Sequence, residues 1–389
     1  MKSESITKAE AQKRILHSQQ VLTKKSKETP LNASLSVIEQ LGYIQIDTIS
    51  VVQRAHHHTL WSRNHQYNNA HIDMLVKEKS VFEYWSHAAA YLPMCHYRHS
   101  LPRKNAIASG QLKHWYSIDK KLLTLVLDRI KAEGPLMAKD FDGKNAGFWG
   151  SKPAKRALEH LFMQGDLMIS ERRNFHKVYD LTQRVLPAHI NTTLPSEKEH
   201  VRFLISSFIK ANALAQTSEI CYLLRNIKPL VTAELKAMHA NGELINIQVN
   251  DKSYYALPDA LQLLNKPIAR RKAKILSPFD NLLIQRKRML HFFDFDYQIE
   301  CYLPEAKRQF GYFSLPILWN GKMVARMDCK AERKTKVLHV KHLHVEAGLK
   351  NTENFAADLN AELNAFMVFN NCESIQFHQI TPTNITSLF

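Results

Sequence analysis

The chain has 389 residues, of which 53 are Lys or Arg and 36 are Asp or Glu, so its formal net charge is +17. An apolar fraction of 45% supplies enough side chains for ordinary cores and excludes a disordered basic tail. The charge excess favours a polyanionic partner, and because no segment approaches the apolar length of a membrane span and no signal peptide is visible, we expect a cytoplasmic, nucleoid-associated protein that binds nucleic acid rather than a membrane.

The N-terminal part predicts two helices, over Lys8 to Gln20 and Leu35 to Leu41, which suit a winged-helix unit spanning residues 1–115. An apolar run then leads into a strongly polar segment. Its chemically distinctive members are Gln45, Asp47, Arg54, His56, His57, His58, Trp61 and Arg63. Because burying so many polar groups is costly, this segment is predicted to line a polar cleft rather than a core.

More than one role is open for this segment. Asp47-Thr48 could cap the N-terminus of a helix over the apolar residues that follow, a position that also favours an ionised carboxylate. Three consecutive histidines point about 100° apart on a helix, so they are poorly placed to share one metal ion. Contact with DNA and plain packing are the other interpretations of the histidines. We predict no metal centre.

The five cysteines are scattered along the chain without a CxxC pair. They are therefore expected to be reduced thiols rather than disulfides or zinc ligands.

A second winged helix is predicted over residues 116–190. Its elements are helices over Lys120 to Lys131 and Lys152 to Gln164 and strands over Leu167 to Ile169 and Val178 to Leu181. Gly134-Pro135 ends the first helix, and Ser151 is a candidate N-cap for the second. A basic connection, Glu171 to Lys177, would form the wing.

A weaker copy of this pattern follows and predicts a third winged helix over residues 191–265. Leu158, Leu161 and Gly165 correspond in spacing to Leu235, Met238 and Gly242. After the second copy comes another hairpin, Ile245 to Gln248 and Ser253 to Ala256, turned at Asn250-Asp251. Internal repetition of this kind indicates related structural units.

The last region, residues 266–389, begins with a linker at Asn265-Lys266-Pro267 and then changes to strand-like segments. These are Tyr297 to Tyr302, Leu315 to Trp319, Met323 to Met327 and Val337 to Val340. Asn320-Gly321 predicts a tight turn, and Glu353 to Asn370 predicts a closing helix. The expected fold class is α+β: three tandem winged helices followed by a C-terminal β-barrel-like domain with a closing helix.

Basic side chains that suit DNA phosphates occur in several of these elements. They are Lys152, Lys155, Arg156, Arg172 and Arg173 in the second unit and Arg286, Lys287 and Arg288 in the last region. The alternative is a solvated charged face, but the global charge favours phosphate contact.

The alternative to an enzyme is a non-enzymatic winged-helix regulator that binds DNA. A carboxylate such as Asp47 near the phosphate path would weaken a regulator's binding, whereas an enzyme can use it to hold water.

Several motifs, taken together, resemble the YcaQ/AlkZ family of bacterial DNA glycosylases. They are Gln45-Ile46-Asp47, Arg54-Ala55-His56-His57-His58, Leu60-Trp61-Ser62-Arg63, Phe82-Glu83-Tyr84-Trp85-Ser86-His87, Trp149-Gly150, Lys152-Pro153, Lys155-Arg156-Ala157-Leu158, Lys177-Val178-Tyr179-Asp180-Leu181, Leu276-Ser277-Pro278-Phe279-Asp280 and Arg286-Lys287-Arg288. They occur in the expected order over most of the chain.

The resemblance implies an enzyme that excises alkylated purines, mainly N7-alkylguanine and N3-alkyladenine, from double-stranded DNA and in some members unhooks interstrand crosslinks. It assigns catalysis to Gln45 and Asp47, and the Asp form is similar to the branch that accepts crosslinked and bulky N7 adducts. The expected enzyme is a monofunctional hydrolase without a cofactor, and a monomer is its simplest state. The histidines, Trp61 and Arg63 are expected to contact the duplex in a shallow cleft.

Overall fold

The structure is a computed structural model and describes residues 4–22, 27–112, 119–141, 151–259, 267–269 and 271–389, without the side chains of Ser151 and Lys152. The Trp149-Gly150 motif, the linker residues Asn265 and Lys266 and the predicted capping by Ser151 therefore lie outside the described residues. The chain divides into two compact units, Met1–Asn68 with Leu204–Phe389 and Asn69–Phe203. Within the described part, no helix combines the length and apolarity that a membrane crossing requires.

Helices and strands alternate along the described chain. The helices are α1 (Lys8–Ser18), α2 (Pro30–Leu41), α3 (Ala55–Arg63), α4 (Ala70–Lys77), α5 (Leu101–Ala108), α6 (Lys120–Glu133), α7 (Ser151–Gln164), α8 (Thr182–Val185), α9 (Glu197–Asn212), α10 (Thr217–Ile220), α11 (Lys228–Ala240), α12 (Arg286–Phe293) and α13 (Thr352–Phe369). The strands are β1 (Glu4–Ile6), β2 (Ile44–Gln45), β3 (Val81–Trp85), β4 (Ala89–Pro93), β5 (Leu167–Arg173), β6 (His176–Leu181), β7 (Ile245–Val249), β8 (Lys252–Ala256), β9 (Ala273–Ile275), β10 (Ser314–Trp319), β11 (Lys322–Glu332), β12 (Val337–Val345), β13 (Ser374–Phe377) and β14 (Ile380–Thr381). The chain therefore has the mixed α and β content that its sequence predicts.

The first helix shares a core with elements far along the chain. A capping box formed by Thr7 and Glu10 starts α1, and Ile15 and Leu16 on its buried face join a core that also holds residues of β7, β8 and α12. Strand β1 pairs in parallel with β7, which pairs antiparallel with β8. Helix α2 begins at Pro30 rather than at Leu35, because Thr29 caps it and Pro30 suits its first turn.

The C-terminal region is a curled half-barrel rather than a closed barrel. Its strands run in the order β13-β12-β11-β10-β9, with β14 beside β12, and no pairing among the described residues joins β9 to β13. Irregularities at Ile317/Leu318 and Asp328/Cys329 help the sheet curl. The predicted turn at Asn320-Gly321 joins β10 to β11, and α13 packs on the sheet as the predicted closing helix, with the Phe355 ring 5.6 Å from that of Trp319.

One strand predicted in this region is wrong. Residues 297–302 form no strand, and burial does not alternate along them, because Tyr297 and Glu300 are both buried although they are three positions apart. The Tyr297 hydroxyl donates to the carbonyl oxygen of Ser314 at 2.6 Å, and Glu300 accepts hydrogen bonds from backbone N–H groups. Hydrogen bonds of these two side chains to backbone groups therefore take the place of strand pairing.

The unit over residues 69–203 combines helices with two hairpins, β3–β4 and β5–β6. Helices α6 and α7 and the β5–β6 hairpin share one core, which includes Val126, Leu158 and Tyr179. The hairpin strands are longer than predicted, because Asn174 and Phe175 alone make the turn, both with positive φ. Most of the predicted connection from Glu171 to Lys177 is therefore strand.

A buried ion pair joins the end of α3 to a loop more than two hundred residues away. Arg63 Nη1 lies 2.6 Å from Asp280 Oδ2 and Nη2 lies 2.9 Å from Oδ1, and both side chains are 0% exposed. The guanidinium also donates to the carbonyl oxygens of Gln19 and Thr59. Asp280 in turn accepts the backbone N–H of Leu282. Each buried charge is therefore both paired and hydrogen-bonded, as a buried pair requires.

Removing the charge from one partner of this pair should destabilise the first unit. We expect Asp280→Asn to lower the free energy of unfolding by about 3–5 kcal/mol, because it leaves the Arg63 charge buried without compensation. Urea unfolding followed by circular dichroism measures the change. Glu373→Gln is the matched control, because it breaks a pair with Lys336 that is exposed on both sides and should change stability little. Equal effects of the two substitutions would contradict the assignment.

Candidate active site

Gln45 and Asp47 lie at the end of a short strand and in the irregular segment that follows it. Gln45 ends β2 and is buried, whereas Asp47 is half-buried. Asp47 Oδ1 accepts the backbone N–H of Ile49 at 2.7 Å, which orients the carboxylate. Burial raises the pKa of Asp47, and the hydrogen bond from Ile49 offsets part of that rise. The carboxylate is therefore a stronger base than an exposed aspartate.

The alternative of Asp47 as a helix N-cap is wrong. Helix α3 begins at Ala55, and Arg54 occupies its N-cap position without a side-chain capping bond. Asp47 instead closes a local turn through its bond to Ile49. The apolar residues that suggested a helix after Asp47 lie in an irregular segment that ends in a bend.

The segment between Asp47 and α3 is attached to the C-terminal region at several points. The backbone N–H of Ala331 in β11 donates to the carbonyl oxygen of Val51 at 2.9 Å. The Arg333 guanidinium donates to the carbonyl oxygen of Ser50 at 3.1 Å, and the N–H of Gln53 donates to Asn370 Oδ1 at 2.8 Å. These bonds from β11, from Arg333 just after it and from the end of α13 attach the carboxylate-bearing segment to the C-terminal region.

The charge of Asp47 acts on Cys301 and Tyr302, an effect that the sequence did not indicate. Burial and then the nearby Asp47 charge raise the pKa of the Cys301 thiol. Burial, Cys301 and Asp47 together raise the pKa of the Tyr302 phenol. Tyr302 is nevertheless 73% exposed. No sequence motif indicates this relation, because the sequence predicted a strand over Tyr297 to Tyr302 where the structure has a loop. All five cysteines are free thiols, as predicted.

The three histidines have divergent partners. His57 Nδ1 lies 2.7 Å from the Tyr67 hydroxyl, and His58 Nε2 lies 3.0 Å from the carbonyl oxygen of Ile275. Burial and then the Arg54 charge lower the pKa of His57 to about 3, and burial lowers the pKa of His58 to about 4. His56 is buried as well. In the described ranges no group of three or more His, Cys, Asp or Glu side chains is placed to hold a metal ion.

Trp61, His58 and Arg63 belong to the protein core. The Trp61 indole stacks between the rings of His65 and Phe369, at centroid distances of 4.5 and 4.8 Å, and is 3% exposed. His58 is 0% exposed, and Arg63 is held by Asp280. The predicted DNA contacts of these three residues, and of the buried His56, have no accessible surface in this structure. Arg54 and His57 are half-buried.

Of the basic residues predicted in the second unit, Arg172 is neutralised internally. Its guanidinium forms two 2.8 Å bonds to Glu83, whose side chain is 1% exposed, and donates to the carbonyl oxygen of Phe175 at 2.7 Å. Arg173 is exposed and pairs with its neighbour Glu171. Lys155 and Arg156 are exposed on α7, and the Lys152 side chain lies outside the described residues. Burial and pairing therefore leave Arg172 a structural role.

The basic triplet at the start of α12 also contains both residues bound within the protein and a residue exposed to solvent. Arg286 donates to the carbonyl oxygens of Leu283 and Pro278, at 2.7 and 2.9 Å. Arg288 is buried, and it donates to Glu219 Oε1 at 2.7 Å. Lys287 between them is exposed. Two of the three charges thus hold the fold, and one faces solvent.

Comparison with known proteins provides a family and a fold. The model of the family described as DNA glycosylase AlkZ-like matches residues 38–369, a range that contains Gln45, Asp47 and most of the half-barrel. The solved structure of Streptomyces sahachiroi DNA glycosylase AlkZ matches with a TM-score of 0.65 at 12% sequence identity. That match covers 96% of this chain and 100% of the other. At this identity the structural likeness shows a common fold.

The buried imidazole of His58 should make stability depend on pH. Its folded pKa of about 4 lies below the ordinary value of 6.5, so the unfolded state binds more protons between the two values. The free energy of unfolding should therefore fall as the pH drops from about 6.5 towards 4. Urea unfolding across this range measures the slope. His58→Phe should make the slope shallower, and an unchanged slope in that variant would contradict the assignment.

Proposed function

Because the chain belongs to the AlkZ-like DNA glycosylase family, we propose that it hydrolyses the N-glycosidic bond of alkylated purines in double-stranded DNA. The proposed substrates are N7-alkylguanine and N3-alkyladenine. The observation that carries the proposal is Asp47, a half-buried carboxylate with a raised pKa on a segment fixed by surrounding hydrogen bonds. Family membership also favours an enzyme over the winged-helix regulator that the sequence left open.

The proposed chemistry needs a positioned base rather than a strong general acid. An N7-alkylguanine already carries a positive charge, which weakens its bond to the sugar. The enzyme must then stabilise a cationic sugar and deliver water to it. In this proposal, Asp47 Oδ2 accepts the proton of the attacking water while Oδ1 stays bound to the N–H of Ile49. Gln45 holds the same water through its amide oxygen, and the Asp47 charge stabilises the sugar cation.

Water is the only nucleophile in this scheme, so the products are a free base and an abasic site in an intact strand.

We also propose that the enzyme unhooks interstrand crosslinks, because Asp47 resembles the residue found in the branch of the family that accepts crosslinked adducts. A crosslinked base is tethered to the opposite strand and cannot rotate freely into a deep pocket. The 73% exposure of Tyr302 beside Asp47 supports a site that is open to solvent.

The proposed DNA contacts follow from exposure. Phosphate contacts are proposed for the exposed basic residues Lys155, Arg156, Arg173 and Lys287. Contacts closer to the lesion are proposed for the half-buried Arg54 and His57.

We further propose that three winged helices occupy residues 1–115, 116–190 and 191–265. The order of helices and hairpin from α6 to β6 and from α9 to β8 supports this division for the second and third.

Replacing the Asp47 carboxylate by an amide should abolish most base release. We expect Asp47→Asn to lower single-turnover release of 7-methylguanine by about 10²-fold or more, because the amide cannot accept the water proton. Its oxygen can still accept the N–H of Ile49, so the fold and the DNA affinity should persist. Chromatography of released base and gel-shift titration measure the two quantities.

Asp251→Asn is the matched control for this experiment, because it removes the same charge from an exposed turn. It should leave base release unchanged. Near-full activity of Asp47→Asn would refute the catalytic assignment. Tight binding to a defined palindromic operator, without any base release by the unmodified protein, would favour the regulator.

Adjacent residues in α12 offer a test of the DNA interface. Lys287→Ala should weaken DNA binding at all sequences and reduce the slope of log affinity against log salt by about 1, because it removes one phosphate contact. Arg288→Ala should instead lower the midpoint of urea unfolding, because Arg288 holds Glu219. Fluorescence anisotropy at several salt concentrations measures the first effect. An unchanged salt slope for Lys287→Ala would remove it from the interface.

A further inference from the structure

The loop over residues 300–313 is held in shape by two buried carboxylates. Glu300, 6% exposed, accepts the backbone N–H groups of Gln309, Phe310 and Gly311 at 3.1, 2.8 and 3.1 Å. Asp328, also 6% exposed, accepts those of Tyr312 and Phe313 at 3.1 and 2.9 Å. Charged acceptors make strong hydrogen bonds to N–H groups. The loop is therefore organised before any ligand arrives.

A close backbone approach strengthens this attachment. Gly311 has φ near +113°, and a Cβ atom there would lie 2.2 Å from Asp328 Oδ2. No other residue fits without displacing the carboxylate that holds the loop. The glycine thus fixes the loop against β11.

The same strand also holds the segment that carries Asp47. Asp328 binds the loop, and three positions further along β11 the N–H of Ala331 donates to the carbonyl oxygen of Val51. Three residues of a strand span about 10 Å. Asp47 and Tyr302 therefore lie on two segments that are attached to one strand at points about 10 Å apart, and the Asp47 charge reaches the Tyr302 phenol and helps to raise its pKa.

The Tyr302 side chain is mostly exposed to solvent, so it contributes little to the packing of the core. Its exposure of 73% is the highest among the large apolar and aromatic side chains of the described residues. By contrast, Tyr297 and Tyr254 are buried. An aromatic ring held out into solvent by a rigid loop beside a carboxylate is suited to contact a ligand.

We propose that the face of the Tyr302 ring binds the positively charged alkylated purine and so distinguishes it from neutral bases. The inference rests on the proposed function, because that function supplies the substrate. An aromatic face attracts a cation through its quadrupole, and N7-alkylguanine is a planar cation that also offers a surface for stacking. Tyr302 is then a specificity-determining residue, whereas Asp47 acts on water and sugar.

The charge on the base disappears as the glycosidic bond breaks, because the bonding electrons return to the purine. An interaction with that charge is therefore strongest before the reaction. It should raise the affinity for the lesion and, to the extent that the charge is already lost in the transition state, slow the bound complex. A residue with only a structural role in the loop would not separate these two quantities.

The test compares two duplexes that differ only in the charge of one base. One contains 7-methylguanine, and the other contains 7-methyl-7-deazaguanine, which is neutral and has the methyl group in the same place. Affinities are measured in slightly acidic buffer with the Asp47→Asn protein, which does not turn over. We expect the cationic duplex to bind more tightly, and Tyr302→Leu to reduce that preference by about 2- to 30-fold. Tyr302→Phe should preserve it.

Tyr312→Leu is the matched control, because Tyr312 is 37% exposed on the same loop and its ring faces Arg308. It should leave the preference intact. An equal loss of affinity for both duplexes in Tyr302→Leu, or an unchanged preference, would overturn the inference.

A separate measurement with Asp47 intact keeps the two proposals distinguishable. Release of 7-methylguanine at saturating enzyme should not slow in Tyr302→Leu and should rise by up to the factor by which the affinity for the cationic duplex falls. If the unmodified protein releases no base, the proposed function fails. If it releases base and the preference for the cationic duplex does not depend on Tyr302, the inference about Tyr302 fails alone.

Discussion

The buried pair between Arg63 and Asp280 is the contact on which the arrangement of the site depends. It is bidentate, both side chains are 0% exposed, and it joins α3 to a loop of the C-terminal region. Asp47 lies on the segment just before α3, so this pair and the bonds from β11 determine where the carboxylate lies. Asp47 itself is held by one local bond to Ile49, so its position rests on these attachments of the surrounding segment.

Most of the arginines predicted to contact DNA stabilise the fold instead. Arg63 binds Asp280, Arg172 binds Glu83 and Arg288 binds Glu219. Each partner is far away in the sequence, so a composition or spacing argument had no means of finding it. When these carboxylate partners are unknown, as they are from the sequence, the arginines are readily interpreted as phosphate contacts. The side chains left for DNA are the exposed ones between them, such as Lys155 and Lys287.

Local patterns predicted the elements whose causes are local. The hairpin of β7 and β8, the turn at Asn320-Gly321 and helix α13 follow from turn residues and helical periodicity and are confirmed. The strand expected over Tyr297 to Tyr302 is wrong, because Glu300, which an alternating strand would expose, is buried and accepts backbone N–H groups of a distant part of the loop. Gln45 and Asp47 could be proposed from sequence, but Tyr302 required the tertiary structure, because contacts between segments far apart in the chain relate it to Asp47.

The account rests on an ionised Asp47 that accepts a proton from water. The most direct test is the single-turnover rate of 7-methylguanine release as a function of pH, corrected for spontaneous loss of the base. The rate should fall in acid with an apparent pKa above 3.8, the ordinary value for aspartate, because burial raises the pKa of this carboxyl group. Asp47→Asn should lack this limb. A rate that stays flat in acid, or an identical limb in Asp47→Asn, would contradict the account.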